Sequence, residues 1–383
     1  MEKRWFRPAA ALLCAALCAS MWGCAPAEKD MEPGQSSPAP SAQTGATSPS
    51  EQGGEGAFRM TQESSVRNEK FREREEFAGF IGRAESKFLI AGLNQAMTPQ
   101  GISYSEDTGL AYITSYAITD TPSAITGVSL ETGEFAAEYY LFNPDGSPFT
   151  SHVGGIAVVG NTVYVSAKLD SDGSYSVAVL PLDQLPVSGS HDVTVEQTIP
   201  VPVSPSFLNY SRGTLWVGNF YHPKADYNLS PELNFTTQTA DGEYGCYILG
   251  YRMEEDGTLS IPDGERYPVP DCAMAAPDRI QGVCCFGDEV VLSQSYGRGA
   301  NSTLLFYRLP EGDEFDGTLD VCGRDIPCWV LDSARQNEAM NVMPMTEGLC
   351  LSPDGMLVLF ESGSSRYSDG KYRTDHVWEL KGQ

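Results

Sequence analysis

The sequence contains no GxSxG, no HExxH, no phosphate-binding glycine loop and no Rossmann fingerprint. Those absences argue against serine hydrolysis of the nucleophile-elbow type, the zinc-peptidase helix and nucleotide-phosphate chemistry. No CxxC pair occurs among the ten cysteines, which argues against a structural zinc site. Positive charge is scarce, with 25 Lys and Arg against 51 Asp and Glu and a formal net charge of -26. Such a chain is a poor partner for nucleic acid or an anionic lipid surface. Only four histidines are available for acid–base work near neutral pH.

What is present begins with an export pattern. Residues 1–23 carry Lys3, Arg4 and Arg7 ahead of the apolar run "PAAALLCAALCASMWG", which is too short to span a bilayer comfortably. The run ends in "MWGC", and the small residue before Cys24 resembles the lipobox of bacterial lipoproteins, although Met21 and Trp22 stand where leucine and a small residue are usual. Cleavage there would leave an acylated Cys24 on the outer face of the cell membrane, the lipid being the only membrane contact. Residues 24–57 are rich in Pro, Ser, Gly and Ala and bury nothing, so they read as a flexible tether.

The rest is organised by a repeat. Strand starts "PQGISY", "VGGIAV", "PSFLNY", "IQGVCC" and "TEGLCL" are each followed by a partner strand: "AYITSY", "VYVSAK", "LWVGNF", "VVLSQS" and "LVLFES". Units of this kind must stack to bury both faces, which predicts an all-β five-bladed β-propeller of four-stranded blades over 87–383, with six blades as the alternative. Third strands are expected at "AITGVSL", "YSVAVLPL", "CYILGYRM", "TLLFYRLP" and "HVWELK", and fourth strands at "EFAAEYYLF", "TVEQTIPV", "ERYPVPD" and "CWVLDSA". The last unit lacks a fourth strand, and "KFLIAGL" before the first repeat is expected to close the ring. The insertion between Tyr221 and Gly245 is expected to be a loop. Residues 58–86, with Phe71, Phe77, Phe80 and Ile81, are expected to form a helical segment on the rim.

Seven cysteines remain beyond Cys24. Cys284 and Cys350 fall on core positions of the repeat and read as small buried residues. A Cys246–Cys272 disulfide, or one across the Cys322 and Cys328 loop, is an open alternative to free thiols in an exported chain.

In a four-stranded blade the first strand begins and the second ends at one face of the ring, around the channel mouth. Gln100, His152, Ser206, Gln281 and Glu347 fall at strand starts; Ser115, Tyr116, Lys168, Asn219, Gln294 and Glu361 fall at strand ends. The following loops add Tyr221, His222, Tyr296, Arg298 and Arg366. Convergent polar and aromatic groups in a concavity are the default binding site, although any one of them would serve equally as a cap on backbone groups. Three chemistries suit the set. Glu347 and Glu361 lie on adjacent strands, a carboxylate pair of the kind glycosidases use, or an ion-pair network. Glu347 with Asn209, Asn219 or Gln281 would suit a hard cation such as calcium. His152 or His222 would supply acid or base.

The "PQGI", "HVGGIAV", "IQGV" and "TEGLCLSPDG" segments resemble uncharacterised exported bacterial propeller proteins and, more distantly, the gluconolactonase and strictosidine-synthase-like superfamily. That resemblance implies a blade-start glutamate, matched here by Glu347, holding a divalent cation with amide and aspartate partners, with Asn219 the available amide, for lactone or ester hydrolysis. No aspartate matches the superfamily's, and five units replace its usual six. The expectation is therefore a surface-anchored propeller binding a small polar ligand, glycan or peptide at the mouth, with a metal-dependent lactonase, esterase or glycoside hydrolase as the alternative.

Overall fold

The computed structural model describes residues 59–118, 121–167, 175–224, 229–254, 257–308 and 314–382. The export signal, the tether, Cys24 and Lys168 lie outside the described residues. Among the described residues, no helix is long and apolar enough to cross a membrane.

Five sheets radiate from one axis, which settles the blade number at five and removes the six-blade alternative. From the axis outward, blade 1 is Thr98–Ser105, Leu110–Tyr116, Ala124–Ser129 and Phe135–Phe142. Blade 2 is Ile156–Val159, Thr162–Ala167, Tyr175–Pro181 and Gln197–Val201. Blade 3 is Phe207–Ser211, Thr214–Gly218, Cys246–Arg252 and Cys272–Ala276. Blade 4 is Ile280–Phe286, Glu289–Gln294, Ser302–Arg308 and Gln336–Val342. Blade 5 is Thr346–Leu351, Gly355–Phe360, His376–Lys381 and, from the start of the chain, Ala84–Leu89. The N-terminal strand thus closes the ring, three residues earlier than "KFLIAGL" begins.

The outer edges differ from the repeat's expectation for identifiable reasons. "ERYPVPD" contains Pro268 and Pro270, which cannot donate to a ladder, and the fourth strand of blade 3 is instead the short, buried Cys272–Ala276. "CWVLDSA" overlaps Arg324–Val330, which pairs parallel to Cys272–Ala276 and extends blade 3 together with Gly317–Val321. Blade 4 takes Gln336–Val342, whose polar residues hide an inward Met340 and Val342. Gly189–Thr194 adds a parallel strand to the edge of blade 1. The long insertion in blade 3 carries a small hairpin, Thr237–Thr239 with Gly242–Tyr244.

Apolar side chains pack between blades. Tyr164, Val177, Leu208, Leu215, Tyr247 and Leu249, for example, form one cluster between blades 2 and 3. Near the axis the blades approach too closely for side chains. A Cβ on Gly155 would stand 2.1 Å from the Leu208 nitrogen, and one on Gly101 would stand 2.7 Å from the Gly155 Cα. Glycine at these positions is a steric requirement of the ring.

A short helix precedes the ring, Ala78–Ile81, but most of 58–86 is not helical. It runs as extended chain and then as 3₁₀ turns at Lys70–Glu73 and Glu75–Phe77. The phenylalanine spacing explains this, because 71, 77 and 80 do not share one stripe of a continuous α-helix. All three rings are fully buried with Trp378, Phe360 and Tyr372 over blades 4 and 5.

All seven described cysteines are free. Cys246 and Cys272 each open their strand of an antiparallel pair, with Cys246 opposite Ala276 and Cys272 opposite Gly250, so they stand at opposite ends. Cys322 sits in the turn joining Gly317–Val321 to Arg324–Val330, whereas Cys328 pairs with Gly317 far along the hairpin. Neither disulfide forms. Cys284 and Cys350 are buried core residues.

Candidate functional site

Three inner strands share a local irregularity at the mouth. The register shifts between Pro99 and Ile102 in blade 1, between Ile280 and Gly282 in blade 4, and between Thr346 and Leu349 in blade 5. The residues set free by these bulges are Gln100, Gln281 and Glu347, each followed by glycine. A bulge re-aims a side chain that a regular ladder would hold on a sheet face. Blades 4 and 5 also enter through left-handed residues, Arg279 (φ 63°) and Met345 (φ 66°), a strained conformation concentrated at functional sites.

The bulged residues converge on a carboxyl pair. Glu361 directly follows Gly355–Phe360, and its backbone nitrogen donates to the Met345 carbonyl at 3.0 Å, which sets it beside Glu347. The two carboxyl groups are close enough to perturb each other's ionisation. Gln100 Nε2 donates to Glu361 Oε2 at 3.0 Å, and the Tyr367 hydroxyl donates to the same oxygen at 3.2 Å. Gln281 Nε2 reaches Glu347 Oε1 at 3.4 Å. Gln100 and Glu347 are only 4% and 3% exposed. Arg366 Nη1 donates to the Tyr116 hydroxyl at 2.8 Å, with its guanidinium 5.6 Å from the Tyr116 ring centre and 5.3 Å from that of Tyr367. The Tyr116 ring lies 4.3 Å from that of His152. One arc therefore runs from blade 4 through blades 5 and 1 to blade 2.

Burial dominates the electrostatics. It pushes the Glu347 carboxyl well above the usual range, with the charge and hydrogen bond of Glu361 adding to the effect. Burial also pushes Glu361 up to about 7, against the lowering pull of Tyr367, Gln100 and Arg366. The pair therefore holds protons to a higher pH than ordinary glutamates do. His152 is exposed, yet the protein around it pushes its imidazole down to about 4, with Arg366 adding to the effect. It is therefore neutral at physiological pH.

Below the arc a side chain bridges the inner strands of two blades. Asn209 is 1% exposed and its Nδ2 donates to the Leu349 carbonyl at 2.8 Å, a bond from blade 3 to the non-adjacent blade 5. Its Oδ1 accepts from Ser211 Oγ at 2.7 Å.

Other expected residues are engaged elsewhere. Asn219 Oδ1 accepts from the Tyr247 nitrogen at 2.7 Å and its Nδ2 donates to the Gly245 carbonyl at 3.1 Å. It fastens the base of the blade 3 insertion and, like Asn209, has its amide committed, so the cation set of Glu347 with these amides is not assembled. Gln294 donates to the Asp278 carbonyl at 2.8 Å, bracing the entry to blade 4. Tyr221 packs against Gly245. His222 meets Tyr296 edge-on at 4.4 Å in a separate aromatic patch, where Tyr296 is 44% exposed. Arg298 reaches across to Asp369 at 2.6 Å and stands 5.6 Å from the Tyr367 ring centre. Sequence reasoning misses Tyr367 and Asp369, since both sit in a blade 5 loop that nothing in the repeat marks.

The sequence matches no protein-family model and no curated protein. Solved structures similar in fold include a gluconolactonase from Xanthomonas campestris, at 13% identity over 80% of this chain and 83% of that one, with a TM-score of 0.32. A GH43_1 enzyme from Xanthomonas citri complexed with xylotriose is 12% identical over 80% and 92%, TM-score 0.40. A Thermus thermophilus protein described as a putative oxidoreductase (glucose dehydrogenase) is 14% identical over 78% and 99%, TM-score 0.40. At these scores none of the three carries an activity over to this chain.

Proposed function

We propose that this protein is an exported, lipid-anchored binding propeller whose mouth holds a small polar ligand of the carbohydrate type. The observation that carries the reading is the Gln281–Glu347–Glu361–Gln100 arc, walled by Tyr116 and Tyr367 with Arg366 between them. Sugars bind where flat aromatic faces adjoin fixed donors and acceptors. The Asn209 bond between blades 3 and 5 holds the inner strands together beneath the arc. Acylation at Cys24 and the following tether would hold the propeller away from the membrane on its outer side.

Calorimetric titration of the purified chain with mono- and oligosaccharides, and with short peptides as the competing class, tests the reading. Arg366→Ala and Tyr116→Ala are each expected to weaken binding at least tenfold. Binding of a sugar that is indifferent to both variants would remove the mouth as its site. The anchor is tested by Cys24→Ala, which should release the protein from membranes.

A second reading rests on the carboxyl pair alone. A protonated Glu347 beside a Glu361 that titrates near 7 is an acid and a base poised at working pH. In this reading the pair would act by activating water. Glu361→Gln would then abolish turnover of a bound oligosaccharide, lactone or ester while leaving binding intact.

A further inference from the structure

A second group of ligand-type side chains lies where the N-terminal arm crosses blade 5. Asp375 is 1% exposed, and its Oδ2 accepts from Ser64 Oγ at 2.8 Å and from the Ser65 and Val66 nitrogens at 2.9 Å each. Those three bonds pin the arm to the blade. Asp375 Oδ1 faces away from them, 2.8 Å from His376 Nδ1, and Glu69 Oε1 on the arm stands 3.8 Å from the same nitrogen. The three atoms lie within 4.8 Å of one another. Glu69 is held in this orientation because its other oxygen takes the Arg72 Nε.

The cluster is unfinished. Glu69 Oε1 is a buried atom without a hydrogen-bond partner, while His376 Nδ1 has only the ion-pair approach of Asp375 at 2.8 Å, which falls short of full hydrogen-bond alignment. A buried polar atom without a partner, such as Glu69 Oε1, costs about 1–3 kcal/mol unless something binds it.

We propose that Glu69, Asp375 and His376 bind a divalent transition-metal ion of the zinc class, clamping the N-terminal arm to blade 5. One imidazole nitrogen with two carboxylate oxygens is a zinc-type donor set, and its nitrogen disfavours calcium and magnesium. The 2.8 and 3.8 Å separations bracket the roughly 3.4 Å edge of a tetrahedron with bonds of about 2.1 Å. The Glu69 and His376 side chains are 19% and 29% exposed, so water has access to the fourth position. Ser65 Oγ on the same arm donates to the Gly363 carbonyl at 2.6 Å, in the loop that carries Arg366 and Tyr367. The ion would therefore brace that loop from behind, independently of what the mouth binds.

Calorimetry of the full chain with zinc chloride, paired with limited trypsin digestion of the arm, tests the proposal. The expected result is one tight site per chain, not displaced by excess calcium, with zinc slowing cleavage after Arg72 and Arg74. Glu69→Gln and His376→Gln should each weaken zinc at least tenfold and abolish the protection. Glu69 lies on the arm, so Glu69→Gln should keep the metal-free melting temperature and separates loss of metal from loss of fold. Zinc binding unchanged in both variants overturns the proposal. So does an arm whose cleavage zinc leaves unchanged.

Discussion

Glu347 and Glu361 stand side by side at the mouth end of the two innermost strands of blade 5, and burial raises the pKa of both. Each ionises near 4.5 when the chain unfolds, so between that pH and the folded-state value the native protein holds protons that the unfolded chain has released. By linkage, stability then falls as pH rises. For Glu361, raised to about 7, the loss across this window amounts to about 3 kcal/mol, at roughly 1.4 kcal/mol per pH unit. Glu347→Gln keeps a hydrogen-bond donor and removes one titration. Its urea midpoint should match the wild type at pH 4 and exceed it at pH 8.

Gly155→Ala tests the tight ring. The added methyl would meet backbone at 2.1 Å, and backbone of two adjacent inner strands cannot yield as a side chain does. A loss of about 2–4 kcal/mol is expected from overpacking, read as a lowered denaturation midpoint. The same substitution at Gly299, with nothing within 4 Å, should be tolerated.

Much of this frame is legible in the sequence, for a physical reason. A glutamine or glutamate followed by glycine marks a bulge that aims one side chain at the axis while the next backbone touches its neighbour blade. That signal locates Gln100, Gln281 and Glu347 together. The outer strands are less legible, because their edges face water and the pattern that marks burial fades. Gln336–Val342 alternates around Asn337, Glu338 and Asn341 and reads as surface, whereas "ERYPVPD" has apolar residues but no usable donors at its prolines. Asn219 misleads because amide type does not tell whether the amide is already bonded. Tyr367 is invisible because a unique loop residue has no counterpart in the repeat.

Asn209→Ala tests the bond beneath the arc. It removes the donor to the Leu349 carbonyl and the acceptor for Ser211 Oγ, leaving buried groups unpaired. A loss of about 2–3 kcal/mol follows from two such groups. A variant of unchanged stability would mean that the bond across the axis contributes nothing.

Phe71→Ala asks whether the arm belongs to the fold. The ring is fully buried and meets Trp378 edge-on at 5.8 Å, on the strand of blade 5 that the N-terminal strand pairs with. Truncation should cost about 3–5 kcal/mol. If the arm were merely laid on the ring, calorimetry would record a separate low-temperature transition; the shared core predicts a single transition moved down as a whole.

Tyr367→Phe isolates the hydroxyl that supports the charged form of Glu361. The phenol donates to Glu361 Oε2 at 3.2 Å, and this bond favours the carboxylate against the burial that opposes it. Deleting it should raise the apparent pKa of the pair above its starting value near 7, because Gln100 and Arg366 remain as the only lowering partners besides Glu347 itself. Carboxyl carbon NMR of selectively labelled glutamate across roughly pH 5 to 9, a span that brackets the raised carboxyl, would follow the change. An upward shift in the variant, with Gln100→Ala shifting the same signal in the same direction, places both donors on one carboxylate. An unmoved midpoint in both would mean that burial alone sets the proton affinity of the pair.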